Sequence, residues 1–103
     1  MDADAISDGF ELRVEGATVL VAGDIDLATA PLLTEAIAGI TAGPVVLDLA
    51  RVNFMDSSGI GVVVAACARL AAEGRALSVE GRSAAVDRVF GIAGVDEILA
   101  NRR

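Results

Sequence analysis

Val45-Val46-Leu47-Asp48-Leu49-Ala50-Arg51-Val52-Asn53-Phe54-Met55-Asp56-Ser57-Ser58-Gly59-Ile60-Gly61 decides the fold of this chain. Val45 to Leu49 is apolar on both sides apart from Asp48, which predicts a buried strand. A short loop follows, and two serines then open a helix predicted from about Ser57 to Glu73. Within it, Val62 to Ala68 is apolar nearly all round. That requires deep burial, or one face on a sheet and another on a partner. Gly74 suits the C-terminal end of this helix.

On the N-terminal side, Phe10-Glu11-Leu12-Arg13-Val14 alternates as a half-buried strand does. Glu15-Gly16-Ala17 reads as a tight turn, and Thr18 to Gly23 as a more central strand, so the two predict an antiparallel hairpin. Gly23-Asp24-Ile25-Asp26 reads as a loop into a helix with Thr29 at its N-cap and Pro31 in its first turn. Leu33, Ile37 and Ile40 give that helix an inward face, and Gly43-Pro44 ends the segment. On the C-terminal side, Ala76 to Glu80 predicts another strand. Ser83 caps a third helix with Val86, Val89, Phe90 and Ala93 as its apolar stripe, ended by Gly94. Val95 to Ala100 fits either a short strand or a helical turn. Residues 1–8 are acidic and small and read as a loose, flexible tail, leaving residues 9–103 as one domain. The expected class is α/β: a mixed, mostly parallel sheet of four to five strands, an N-terminal antiparallel hairpin and three main helices.

Composition narrows the chemistry. The chain has 103 residues, a net charge of −7, no His, no Lys and one cysteine, Cys67. An acidic, Lys-free surface does not suit nucleic-acid phosphates, and with no Trp or Tyr there is little to stack bases on. No His means no Ser-His-Asp triad and no His-ligated zinc. No Lys means no Schiff base and no Walker A loop. Neither a cofactor nor a metal is expected. Cys67, within an apolar helix, reads as a core residue. No stretch is long and apolar enough to span a bilayer and no signal peptide is visible, so the expected location is the cytoplasm, without membrane insertion.

Two readings of the serines stand side by side. In one, Ser57 or Ser58 caps the helix through backbone N–H groups. In the other, Ser57 accepts a phosphoryl group, which adds roughly −1.5 to −2 charges at a helix N-terminus. Asp24, Asp26 and Asp56 fall near the C-terminal ends of neighbouring strands, where ligand sites of open α/β sheets collect. Turn chemistry is the competing account of Asp24 and Asp26. A phosphate about 7 Å from such a carboxylate is repelled by roughly 2 kcal/mol per unit charge at an effective dielectric of about 20. Gly59 and Gly61 read first as close packing at a strand-to-helix turn. Asp48 and Asp56 make a weak acid–base pair, since nothing else marks a substrate pocket.

Phe54-Met55-Asp56-Ser57-Ser58-Gly59-Ile60-Gly61, following that strand, resembles the signature of the anti-sigma factor antagonist family, the STAS domains of bacteria. Gly23-Asp24-Ile25-Asp26 resembles the family's loop motif, and Arg88-Val89-Phe90 with Gly94-Val95 its third helix and turn. The resemblance covers roughly residues 8–100. It implies a compact α/β domain with a phosphorylatable serine, mapping to Ser57. It also implies a partner: an anti-sigma factor serine kinase of the histidine-kinase-like ATPase fold, bound when Ser57 is bare and released when it is phosphorylated. A serine phosphatase restores binding. ATP then belongs to the partner. By the same resemblance, Asp24, Asp26, Asp56, Ser57, Ser58, Gly59, Ile60 and Val63 form the partner surface. Many members continue into a further C-terminal helix, so the short segment after Gly94 leaves that element open, and with it any dimer contact; the expected state is a monomer or weak dimer. The alternative within the fold is a non-phosphorylated subunit that binds the ATPase of a lipid-transport complex.

Overall fold

The computed structural model describes residues 5–7 and 9–101. Five strands and four helices follow in the order β1 (Ala5–Ser7), β2 (Phe10–Glu15), β3 (Thr18–Ile25), α1 (Ala30–Ala38), β4 (Val45–Met55), α2 (Ser57–Ala72), β5 (Leu77–Arg82), α3 (Ala84–Ala93) and α4 (Val95–Asn101). The strands lie side by side in sequence order, β1-β2-β3-β4-β5. The β1–β2 and β2–β3 pairings are antiparallel. The β3–β4 and β4–β5 pairings are parallel, each with a helix in the connection.

The strand alternation explains why the helices settle where they do. Phe10, Leu12, Val19, Val21, Val45, Leu47, Leu49 and Leu77 are buried. Their alternates Glu11, Arg13, Leu20, Ala22, Val46, Asp48 and Ser78 are exposed or half-buried. One sheet face therefore carries the core. Leu33, Ala36 and Ile37 of α1, Val63, Ala66, Cys67 and Leu70 of α2, and Val86 and Phe90 of α3 complete it. Cys67 is buried, as read from its apolar helix. The shortest extent of the molecule, 20 Å, is that of a sheet plus one layer of helices. Arg82 ties β5 to the last helices: its guanidinium holds both carboxylate oxygens of Asp96 (3.0 and 2.5 Å) and lies 4.9 Å from the centre of the Phe90 ring.

The structure corrects several sequence readings. Ala5–Ser7, read as part of a loose tail, is a strand paired with Phe10–Leu12; residues 1–4 and 8 lie outside the described residues. The strand read as Thr18 to Gly23 continues through Asp24 and Ile25, so the 23–26 segment is not all loop. The strand read as Val45 to Leu49 runs on to Met55. It escapes alternation because it carries bulges. Leu20 pairs with Asp48 but Ala22 with Arg51, and Gly23 pairs with Val52 but Asp24 with Phe54. Each bulge sets two consecutive residues outward, Ala50-Arg51 and Asn53-Phe54, and that reads as loop. Ala93, read as the last residue of an apolar stripe, is exposed. The undecided Val95 to Ala100 segment is α4, with Val95 fully buried.

Candidate functional site

The parallel strands β3 and β4 end side by side, and both of their following turns lie at that end of the sheet. The N–H of Asp56 donates to the carbonyl of Ile25 at 3.2 Å. This bond sets the start of α2 directly beside the Ile25-Asp26 turn. Gly59 seals the joint: a Cβ there would sit 2.6 Å from Met55 Cγ and 2.9 Å from Ile25 Cγ2. Gly59 is buried and serves close packing, as expected of a strand-to-helix turn. Gly61 has open space around it, so packing does not explain it.

The serines do not cap α2. Asp56 is its N-cap, with φ −108° and ψ −168°, and Asp56 Oδ1 accepts the N–H of Ser58 at 2.8 Å. An Asp side chain in this position satisfies an otherwise orphaned donor and places negative charge at the positive end of the helix. The capping account of Ser57 and Ser58 is thereby replaced. Ser57 is the first helical residue and is exposed, and its hydroxyl makes no hydrogen bond among the described residues. Ser58 is half-buried.

The turn after β3 has its own network. Asp26 Oδ1 accepts the N–H groups of Ala28 (3.0 Å) and Thr29 (3.1 Å). The Thr29 hydroxyl donates to the carbonyl of Asp24 at 2.9 Å and accepts the N–H of Asp26 at 2.9 Å. Thr29 holds the N-cap position of α1 without a side-chain cap bond, and Asp26 closes the turn just before it. Turn chemistry therefore accounts for the Asp26 carboxylate, and it leaves Asp26 half-buried beside α2. Asp24 is half-buried one residue before the end of β3, and its N–H donates to the carbonyl of Gly9 at 2.9 Å.

The structure thus gathers Asp24, Asp26, Asp56, Ser57, Ser58 and half-buried Ile60 at one end of the sheet. It does not give Val63 to that surface. Val63 has no exposed area because α2 turns it toward the sheet, and it offers nothing to a partner. Gly59, also buried, contributes only the close seat of the helix. Asp48 and Asp56 stand eight residues apart on one extended segment, roughly 25 Å, so they form no acid–base pair. Asp48 Oδ1 instead accepts the N–H of Ala50 at the bulge. Two residues that sequence reasoning did not place on the surface belong to it. Leu27 is 79% exposed, beside Asp26, and Phe54 is 50% exposed, paired with Asp24. The signal was present, because Leu27 is an apolar residue in a turn and Phe54 falls outside the apolar period of β4.

A family model described as "Mlab, STAS domain" matches residues 9–100. The chain belongs to the STAS domain family. Among curated relatives, the anti-sigma-B factor antagonist of Listeria monocytogenes is 38% identical over 84 residues, covering 79% of this chain and 74% of the relative. The anti-sigma-B factor antagonist of Bacillus subtilis is 32% identical over 83 residues, covering 79% and 76%. Among solved structures, the anti-sigma factor antagonist SpoIIAA in its unphosphorylated form superposes with a TM-score of 0.67 at 25% identity, covering 85% of this chain and 83% of that one. An anti-sigma factor antagonist from Mycobacterium paratuberculosis gives 0.67 at 25% identity, with coverages of 90% and 85%. The STAS fold expected from the serine motif is the fold observed. No helix among the described residues is long and apolar enough to cross a membrane.

Proposed function

We propose that this STAS domain is an anti-sigma factor antagonist: a protein-binding module, not an enzyme, that regulates transcription indirectly from the cytoplasm. Its partner is an anti-sigma factor serine kinase of the histidine-kinase-like ATPase fold, bound while Ser57 is bare and released once Ser57 is phosphorylated. A serine phosphatase resets it.

The observation that carries this reading is the division of labour at the start of α2. Asp56 does the capping, so Ser57 is exposed with no structural task. The names of the curated relatives support it. Leu27 and Phe54 add exposed apolar contacts beside the acidic turn, which suits a partner that presents apolar groups around a basic one. Phosphate on Ser57 puts roughly two negative charges among Asp24, Asp26 and Asp56. Repulsion and the cost of desolvating the phosphate then weaken the complex, and about 3 kcal/mol already exceeds a hundredfold in affinity.

Incubation of the protein with native lysate and ATP, followed by peptide mass spectrometry, tests the assignment of the modified residue. Phosphate on Ser57, and its loss in Ser57→Ala, is the expected result. Phosphate on another residue, or on Ser57→Ala, contradicts the assignment.

A further inference from the structure

Gly61 is a glycine that the fold does not use. It stands inside α2 on ordinary helical backbone, is exposed, and has nothing within 4 Å of where a Cβ would project. Most other glycines have a task. Six hold a left-handed backbone, and Gly39, Gly59 and Gly81 have neighbours that a Cβ would touch. Gly91 of α3 alone shares the open setting of Gly61. Glycine in a helix interior weakens the helix relative to alanine. Nothing within the chain therefore favours it at position 61.

Its place on the helix distinguishes it from Gly91. Gly61 follows Ser57 by four residues, one turn and about 6 Å along α2, on the same face. Ile60 and Val62 on either side of it are half-buried. Val62 borders a groove of about 430 Å³ between α1 and α2, together with Leu27, Ala30 and Pro31. The bare backbone at Gly61 thus adjoins both the serine and an apolar groove that opens beside the turn after β3.

A serine hydroxyl stands on a single carbon and reaches little beyond its own helix. For phosphoryl transfer, the Ser57 oxygen must come within about 3–3.5 Å of the γ-phosphorus of the partner's ATP. That oxygen then bonds to phosphorus, the bond to the bridging oxygen breaks, ADP leaves and the hydroxyl proton is released. The partner's surface must close on the first two turns of α2 to van der Waals distance. A side chain one turn from Ser57 on the same face stands in its way. With the kinase as partner, as proposed above, we infer that Gly61 sets the closeness of this approach. It is a specificity-determining contact, and the kinase fills the space that a Cβ would occupy.

Pull-down from native lysate, read by quantitative mass spectrometry, tests this. Each substitution is placed in the Ser57→Ala chain, so that phosphorylation cannot release the partner. Gly61→Ala is expected to retain on the order of tenfold less kinase-like ATPase than its parent, the effect of one methyl forced into a close fit. Gly61→Leu retains none, and Gly91→Ala retains as much as the parent. Denaturant midpoints rise for both alanine variants, which separates lost binding from lost folding. In chains with Ser57 intact, incubation in lysate with ATP places phosphate on Ser57 in the same order. Gly61→Ala retaining as much ATPase as its parent overturns the inference and leaves the proposed function standing. Equal losses for Ala and Leu, both strong helix formers, would assign Gly61 to flexibility and overturn it as well. So would a fall in midpoint for Gly61→Ala. A parent chain that retains no kinase-like ATPase overturns the proposed function and this contact together.

Discussion

The N–H of Asp56 bonds to the carbonyl of Ile25 at 3.2 Å, and through this one contact the ends of β3 and β4 hold their two turns side by side. Asp26 follows Ile25 and Ser57 follows Asp56, so a feature of the backbone ladder places a carboxylate turn against the exposed serine. The acidic residues keep their turns through local bonds, and those bonds separate their structural work from their charge.

Asp56→Ala removes the cap of α2 and is expected to cost about 1 kcal/mol, a fall in Tm of roughly 4–8 °C for a domain of this size. Asp56→Asn keeps an acceptor at the cap and recovers most of the loss. Thermal denaturation of the two variants checks this. An unchanged Tm in Asp56→Ala contradicts the assignment of the cap.

Asp26 permits the same separation. Asp26→Ala leaves the N–H of Ala28 without its acceptor and that of Thr29 with only the Asp26 carbonyl, and is expected to lower stability by about 1 kcal/mol. Asp26→Asn keeps the acceptor and removes the charge, so it alters partner binding with little change in Tm. Equal melting losses in the two variants would assign the charge itself a structural role.

Gly59 and Gly61 have opposite expectations although they stand two residues apart. Gly59→Ala drives a methyl into Met55 and Ile25, and overpacking of about 1–3 kcal/mol outweighs the helix-propensity gain of about 1 kcal/mol. Gly61→Ala meets nothing within 4 Å and keeps that gain. Denaturant midpoints should fall for the first and rise for the second. The reverse order would mean that α2 is not seated on the strand ends as described.

The Arg82–Asp96 pair gives a dependence on acid. The hydrogen bonds from Arg82 hold the Asp96 carboxyl below its ordinary range, and Asp96 in turn holds the Arg82 guanidinium above its own. A depressed carboxyl stabilises the fold above its unfolded pKa, and that stabilisation is lost as pH falls through the folded value. Asp96 is more than half exposed, so the effect is small. Asp96→Asn should melt slightly below the wild type at neutral pH, and the gap should close below about pH 4. A gap that persists into acid would point to packing over charge as its cause.

Much of the fold was legible in the sequence, because the Phe10–Val14 alternation, the Leu33/Ile37 spacing and the Ser83-to-Gly94 helix signals each agree with the packing that surrounds them. The misreadings have physical causes. The bulges of β4 put Ala50-Arg51 and Asn53-Phe54 outward in pairs, which erases the period of two. β1 has three residues, too few to show a period. On α2 nearly every residue is apolar, so the sequence could not tell buried Val63 from exposed Ala65 and Ala68. The site was legible as a motif but not as a division of roles: Asp and Ser both cap helices, and only the backbone angles of Asp56 assign the cap to it.

The central claim is that exposed Ser57 switches a partner-binding surface. Ser57→Ala and Ser57→Glu proteins used as paired baits in native lysate, with bound proteins identified by mass spectrometry, test it most directly. The account predicts a kinase-like ATPase retained by the Ala form and lost from the Glu form. A transporter ATPase held equally by both contradicts the switch and makes the chain a constitutive subunit.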